Sequence, residues 1–203
     1  MSDSSACSVV SNPEVRLEDV RWHDRSNTCD GRGRETASSR GYNAERLAHV
    51  VMNQLGFRSV SFESWYDDYV LSTDNMSYEV EVKSCIDRYE TASGEEGGYG
   101  QFRIWKPHHD RILEEHEKLA EHGQGGLYFF VVYTVEHSIE KEIGKLVAPV
   151  EMVDDVLNTW LVSDHVTMGS KKNRQISWRL LLKKLGVSRE RFENEPIINL
   201  LDE

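Results

Sequence analysis

No stretch of this 203-residue chain approaches the roughly 20 consecutive apolar residues that a membrane-spanning helix requires. Its opening residues, MSDSSACSVVSNPEV, lack the charged start and apolar stretch of a secretory signal. Cysteine is scarce: Cys7, Cys29 and Cys85 are odd in number and show no metal-ligand spacing, which argues against a disulfide framework and favours a reducing compartment. A cytoplasmic location with no membrane association is therefore expected. Positive charge is also short, with 24 Lys and Arg against 35 Asp and Glu and a formal net charge of −11. That is the wrong overall sign for a protein that grips phosphate backbones. The shortage is uneven, however. Between His165 and Arg191 the chain carries Lys171, Lys172, Arg174, Arg179, Lys183, Lys184, Arg189 and Arg191 against one acid, Glu190.

What is present suits a globular domain, with 38% hydrophobic and 29% charged residues. Residues 1–40 are rich in Ser, Asn, Asp, Gly and Arg without a sustained period, and read as a disordered or extended arm. Ala44, Leu47, Ala48, Val51 and Leu55 form a helical stripe, with Asn43 as its cap and Gly56 as its end. Phe57 to Phe62 reads as a strand. Asp68 to Leu71 and Tyr78 to Ser84 follow as a hairpin joined by STDNMS. GEEGGYG is a loop whose glycines match no phosphate-binding pattern, and Gln101 to Trp105 a short strand. Pro107 opens a helix that continues to Gly123. LYFFVVYTV, residues 127–135, is apolar throughout most of its length, as a central strand covered on both faces requires. Lys145 to Ala148 reads as a further strand, Pro149 starts another helix, and ISWRLLLKKLG reads as a basic amphipathic helix. The order implies an α/β fold with a mixed β-sheet flanked by helices.

One segment carries chemistry. In YEVEVK, residues 78–83, alternation sends Glu79, Glu81 and Lys83 to one side and Tyr78, Val80 and Val82 to the other. An amphipathic edge strand with charges that resist aggregation would read the same way. Phosphodiester hydrolysis, though, commonly needs carboxylates to hold a divalent metal and a lysine to orient water or steady charge. Lys83 is the only lysine with an acid two residues before it. It falls on a strand, and Asp68 lies thirteen positions before Glu81 at hairpin spacing. Glu45 sits on the preceding helix, beside its apolar stripe.

NAERLAHVVMNQLGF, DDYVL, YEVEVKSC and KPHHDRILEEHEKLAEHGQGGLYFFVVY together resemble the PD-(D/E)xK nuclease superfamily, in its archaeal Holliday-junction resolvase and restriction-endonuclease branches. The resemblance implies a restriction-endonuclease-like core over residues 41–150, with residues 151–203 as a helical, partly basic C-terminal extension. It implies Glu45, Asp68 and Glu81 as ligands of Mg²⁺, with Mn²⁺ as a substitute, or as water-positioning groups, Lys83 as the catalytic lysine and Gln101 as a further active-site residue. The residue before Asp68 is Asp67 rather than proline, so two neighbouring aspartates compete for one position, and Asp68 matches the spacing better. Glu79 stands where an apolar residue is common.

The resulting expectation is a metal-dependent DNA endonuclease of restriction, defence or repair type, acting as a homodimer because cutting both strands needs two sites. Lys171, Lys172, Arg174 and Arg179 are the expected DNA contacts. A Holliday-junction resolvase, a nuclease fold that binds DNA without cutting it, and an acidic protein-interaction domain are the alternatives. His108, His109, His116 and His122 lack the HExxH spacing and are expected on a solvated helix. Trp105 and Trp178 are expected to pack.

Overall fold

The computed structural model describes residues 37–61, 69–72, 77–90, 96–119, 124–136, 139–157, 159–163 and 170–201. Most of the expected N-terminal arm, His122, Asp67 and Asp68 lie outside the described residues. The elements run α1 (Ala37–Gln54), β1 (Arg58–Ser61), β2 (Tyr69–Ser72), β3 (Ser77–Ile86), β4 (Arg88–Glu90), β5 (Glu96–Tyr99) and β6 (Gln101–Trp105). They continue with α2 (Lys106–Leu119), β7 (Gln124–Glu136), β8 (Ile139–Pro149), α3 (Val150–Val156), β9 (Leu161–Ser163), β10 (Lys171–Ser177), α4 (Trp178–Lys184), α5 (Arg189–Asn194) and β11 (Ile198–Asn199).

A six-stranded sheet in the order β1-β2-β3-β7-β8-β11 forms the centre. It is mixed, because β3 pairs with β7 and β8 with β11 in parallel while the other neighbours are antiparallel. Its α/β architecture, sheet flanked by helices, is the one the sequence implies. β7 explains why LYFFVVYTV is apolar on both sides. Leu127, Phe129, Val131 and Tyr133 join Val80, Val82 and the α1 stripe in one cluster. Tyr128, Phe130 and Val132 face the other way, into a cluster with Cys85, Phe102, Ile112, Val153, Trp178 and Phe192. Among the described residues no helix is long and apolar enough to cross a membrane.

Several local expectations shift. Helix α1 begins at Ala37, six residues before Asn43, and Arg40 and Gly41 in its first turns are already half-buried. Gly56 ends the helix as expected, with φ 91° in the left-handed region. GEEGGYG is not all loop: Glu96–Tyr99 pairs with β4. At its last glycine a Cβ would lie 1.6 Å from the Ile86 carbonyl oxygen, so Gly100 is there for close backbone approach. The basic helix expected from Ile176 starts only at Trp178. Residues 171–177 instead form a strand of a second sheet, ordered β6-β10-β9. Ser177 caps α4 by accepting from Leu180 N at 3.4 Å.

Candidate active site

Alternation along β3 distributes YEVEVK between two environments. Val80 and Val82 enter the α1 cluster. Glu79 and Glu81 turn towards α2, where they meet Arg111 and His108.

Glu81 is only 3% exposed, and Lys83 Nζ donates to its Oε1. His108 Nδ1, in the first turn of α2, lies 3.8 Å from the same oxygen. Burial by itself would raise the Glu81 carboxyl. The Lys83 ammonium and His108 outweigh it and hold the group below its ordinary value, ionised. Glu45 on α1 is half-buried. Burial raises its carboxyl, Lys83 pulls it down and Glu81 pushes it up, so all three charges feel one another. The structure thus brings Glu45, Glu81 and Lys83 together. Asp68 lies outside the described residues; its chain neighbour Tyr69 pairs with Val80, next to Glu81.

Glu79 has a different fate from Glu81 although both lie on one side of the strand. Arg111 Nη1 donates to Glu79 Oε2 at 2.9 Å and reaches Glu115 Oε1 at 3.4 Å. Burial, the adjacent Glu115 and then Glu81 push the Glu79 carboxyl up to about 8. One guanidinium serving two crowded carboxyls leaves a proton between them near neutrality.

The other expected site residues are dispersed. Gln101 is exposed on β6, pairs with Ser177 across the second sheet, and meets the amide of Gln175 at 2.9 Å. Among the described residues no hydrogen bond joins it to Glu81 or Lys83. Lys171 and Lys172 are exposed on β10 and, as strand neighbours, point to opposite sides, while Arg174 is half-buried. Arg179 opens α4 and donates to Tyr99 OH. These four cations do not share a face.

The histidines depart from the solvated helix expected for them. His109 is fully buried, bonded through Nδ1 to Tyr128 OH at 2.9 Å and through Nε2 to Asp154 at 3.0 Å. His116 Nε2 lies 2.8 Å from Glu151 Oε1, and its Nδ1 accepts from Gly126 N at 3.2 Å. Helix α2 packs on β7 along this side, which removes His109 from water and leaves His108 and His116 half-buried. His108 is the residue that sequence reasoning missed. The available signal was its place directly after Pro107, in the first turn of the helix following the Glu-x-Lys strand.

A hard divalent cation takes carboxylate oxygens. Among the described residues no three His, Cys, Asp or Glu side chains gather closely enough to hold one alone. Glu81, kept ionised in a buried position, and Glu45 beside it supply oxygen donors of the right kind, and Lys83 limits the accumulated negative charge. In donor chemistry the residues fit such an ion.

A family model for the PD-(D/E)XK nuclease superfamily domain matches residues 4–183. Hjc, a Holliday junction resolvase of the archaeal hyperthermophile Archaeoglobus fulgidus, is a distant structural neighbour. The match covers 73% of this chain and 97% of that one, at 14% identity and a TM-score of 0.39. No curated protein matches the chain.

Proposed function

The chain belongs to the PD-(D/E)XK nuclease superfamily, and on that premise we propose that it is a divalent-metal-dependent DNA endonuclease. The observation that supports this reading best is the state of Glu81: buried, ionised, and bonded to the lysine two residues along the same strand. A buried carboxylate kept charged is costly unless it serves something.

Glu45 and Glu81 would hold Mg²⁺, or Mn²⁺ in its place, with Asp68 as the third ligand. Bound there, the ion supplies Lewis acidity at the phosphoryl oxygen and acidifies a coordinated water. Lys83 keeps Glu81 oriented and places an ammonium where negative charge develops on the reacting phosphate. His108 steadies the same carboxylate from α2. The rigid β3–β7 pairing, ten residues long in register from Ser77 to Ile86, holds Glu81 and Lys83 in fixed relation. Of the expected cations, Lys172 and Arg174, on one side of β10, are proposed backbone contacts, and a homodimer would present one such site to each strand.

Nicking of supercoiled DNA in the presence of Mg²⁺ or Mn²⁺ tests the proposal. Lys83→Ala should lower the cleavage rate by about 10²- to 10³-fold. Equal cleavage by the wild type and Lys83→Ala would overturn the mechanism. Retention of DNA by a wild type that never cuts it would identify a binding module instead.

A further inference from the structure

The C-terminal end of β3 leads into a second constellation that the catalytic reading does not use. Trp178 Nε1 donates to the Asp87 carbonyl at 3.0 Å, which fixes the start of α4 against the end of β3. Around this joint Arg88 Nη2 donates to Tyr99 OH at 3.0 Å, with its Cζ 4.5 Å from the ring centroid. Arg179 donates to the same hydroxyl and lies 4.6 Å from the same ring. Arg189 Cζ stands 6.0 Å from the Trp178 ring. A groove of about 540 Å³ opens between α4 and α5, lined among others by Trp178, Arg179, Lys183 and Arg189.

Two guanidiniums converging on one hydroxyl repel each other, and the aromatic rings hold them there. Acids do stand nearby: Arg189 bonds Glu193, and Asp87 bears on it electrostatically. Among the described residues, however, the Arg179 side chain bonds Tyr99 and no carboxylate. Lys183 is exposed. Arg88, Arg179, Lys183 and Arg189 gather here in a chain of net charge −11 and make a local site for an anion. Planar guanidinium forks on aromatic faces suit phosphate in particular.

Position selects which phosphate. Asp87, the residue after β3, follows Lys83 by four positions, about 13 Å at strand rise. That span exceeds the separation of neighbouring phosphates on one strand, so the groove would take a different phosphate from the one at Lys83. We propose that Arg179, Lys183 and Arg189, with Arg88 beside them on Tyr99, form a second phosphodiester site, which anchors the DNA backbone at a phosphate other than the one that reacts at Lys83. This inference rests on the DNA-nuclease reading above and adds to it a built site at the α4–α5 groove.

Binding of a fluorescein-labelled duplex to the full chain in EDTA, followed by anisotropy over a salt series, tests it without turnover. Lys183→Gln/Arg189→Gln alters two exposed side chains and should leave the melting temperature near that of the wild type. The variant should bind DNA at least about tenfold more weakly, with the slope of log K against log salt reduced by about two. Arg179→Lys, which keeps the charge but not the fork, should give an intermediate loss. A double variant that is folded and binds DNA with the affinity and salt slope of the wild type would overturn the proposal. So would a groove that binds inorganic phosphate or a mononucleotide in competition assays while its variants bind DNA unchanged. If the wild type binds no DNA at all, the nuclease-substrate reading fails first, and the two failures remain distinct.

Discussion

His108 Nδ1 stands 3.8 Å from Glu81 Oε1, joining the first turn of α2 to the middle of β3. The same oxygen accepts from Lys83, so a side chain from β3 and one from α2 orient a single buried carboxylate. Groups that orient a metal ligand contribute about tenfold or more to metal affinity. With Glu81 as the proposed metal ligand, His108→Ala should weaken Mg²⁺ binding by about tenfold in titration calorimetry, with His108→Gln recovering part of the loss. Unchanged Mg²⁺ affinity in His108→Ala would remove the residue from the site.

Glu79 makes a prediction with a definite sign. Its carboxyl, ordinarily at 4.5, is pushed up to about 8 in the folded chain. Between those values the folded protein keeps a proton that the unfolded chain releases, so this group costs stability progressively as pH rises. Glu79→Gln keeps an acceptor for Arg111 and removes the titration. In metal-free buffer its melting temperature should gain on the wild type between about pH 5 and about pH 8. A difference that stays constant with pH would show that Glu79 is ionised throughout.

The hydrogen-bonded chain Tyr128–His109–Asp154 supports the fold where α2, β7 and α3 meet. His109 is completely buried and bonded at both ring nitrogens. His109→Ala leaves a cavity and strands the Tyr128 hydroxyl, which should cost about 3 kcal/mol in urea unfolding. Adding Tyr128→Phe should restore about 1 kcal/mol of that, because the stranded hydroxyl is gone. Strict additivity of the two substitutions would argue that the hydrogen bond contributes little.

Gly100 should tolerate no side chain. A Cβ there would sit 1.6 Å from the Ile86 carbonyl oxygen, which is backbone and cannot swing aside. Gly100 N also donates to Asp87 O at 2.8 Å, and its carbonyl accepts from Trp178 N at 3.1 Å. Gly100→Ala should lose about 3 kcal/mol or more and disturb the α4 junction. A melting temperature equal to that of the wild type would contradict this account of the GEEGGYG segment.

Much of the scaffold was legible because its signals are local. The α1 stripe, the alternation of YEVEVK and the two-sided apolarity of LYFFVVYTV each record which faces of an element meet apolar partners. The β10 sequence imitates an amphipathic helix, because Lys171, Lys172 and Arg174 are followed by Ile176, Trp178 and the leucines. Pairing of Asn173–Ser177 with β6 overrides that pattern.

Residue order and periodicity alone determined that Lys83 is the single lysine with an acid two positions before it, and that Glu81 shares its side of a strand. They could not separate Glu79 from Glu81, since strand alternation makes the two equivalent. Only the packing of α2 did so, by placing Arg111 against one and His108 against the other. The same holds for His109 with Asp154, 45 positions apart, and for Tyr99 with Arg179, 80 positions apart. Periodicity tells a side chain which way to face. Which group it then meets depends on elements distant in sequence, and that is decided when the helices settle on the sheet.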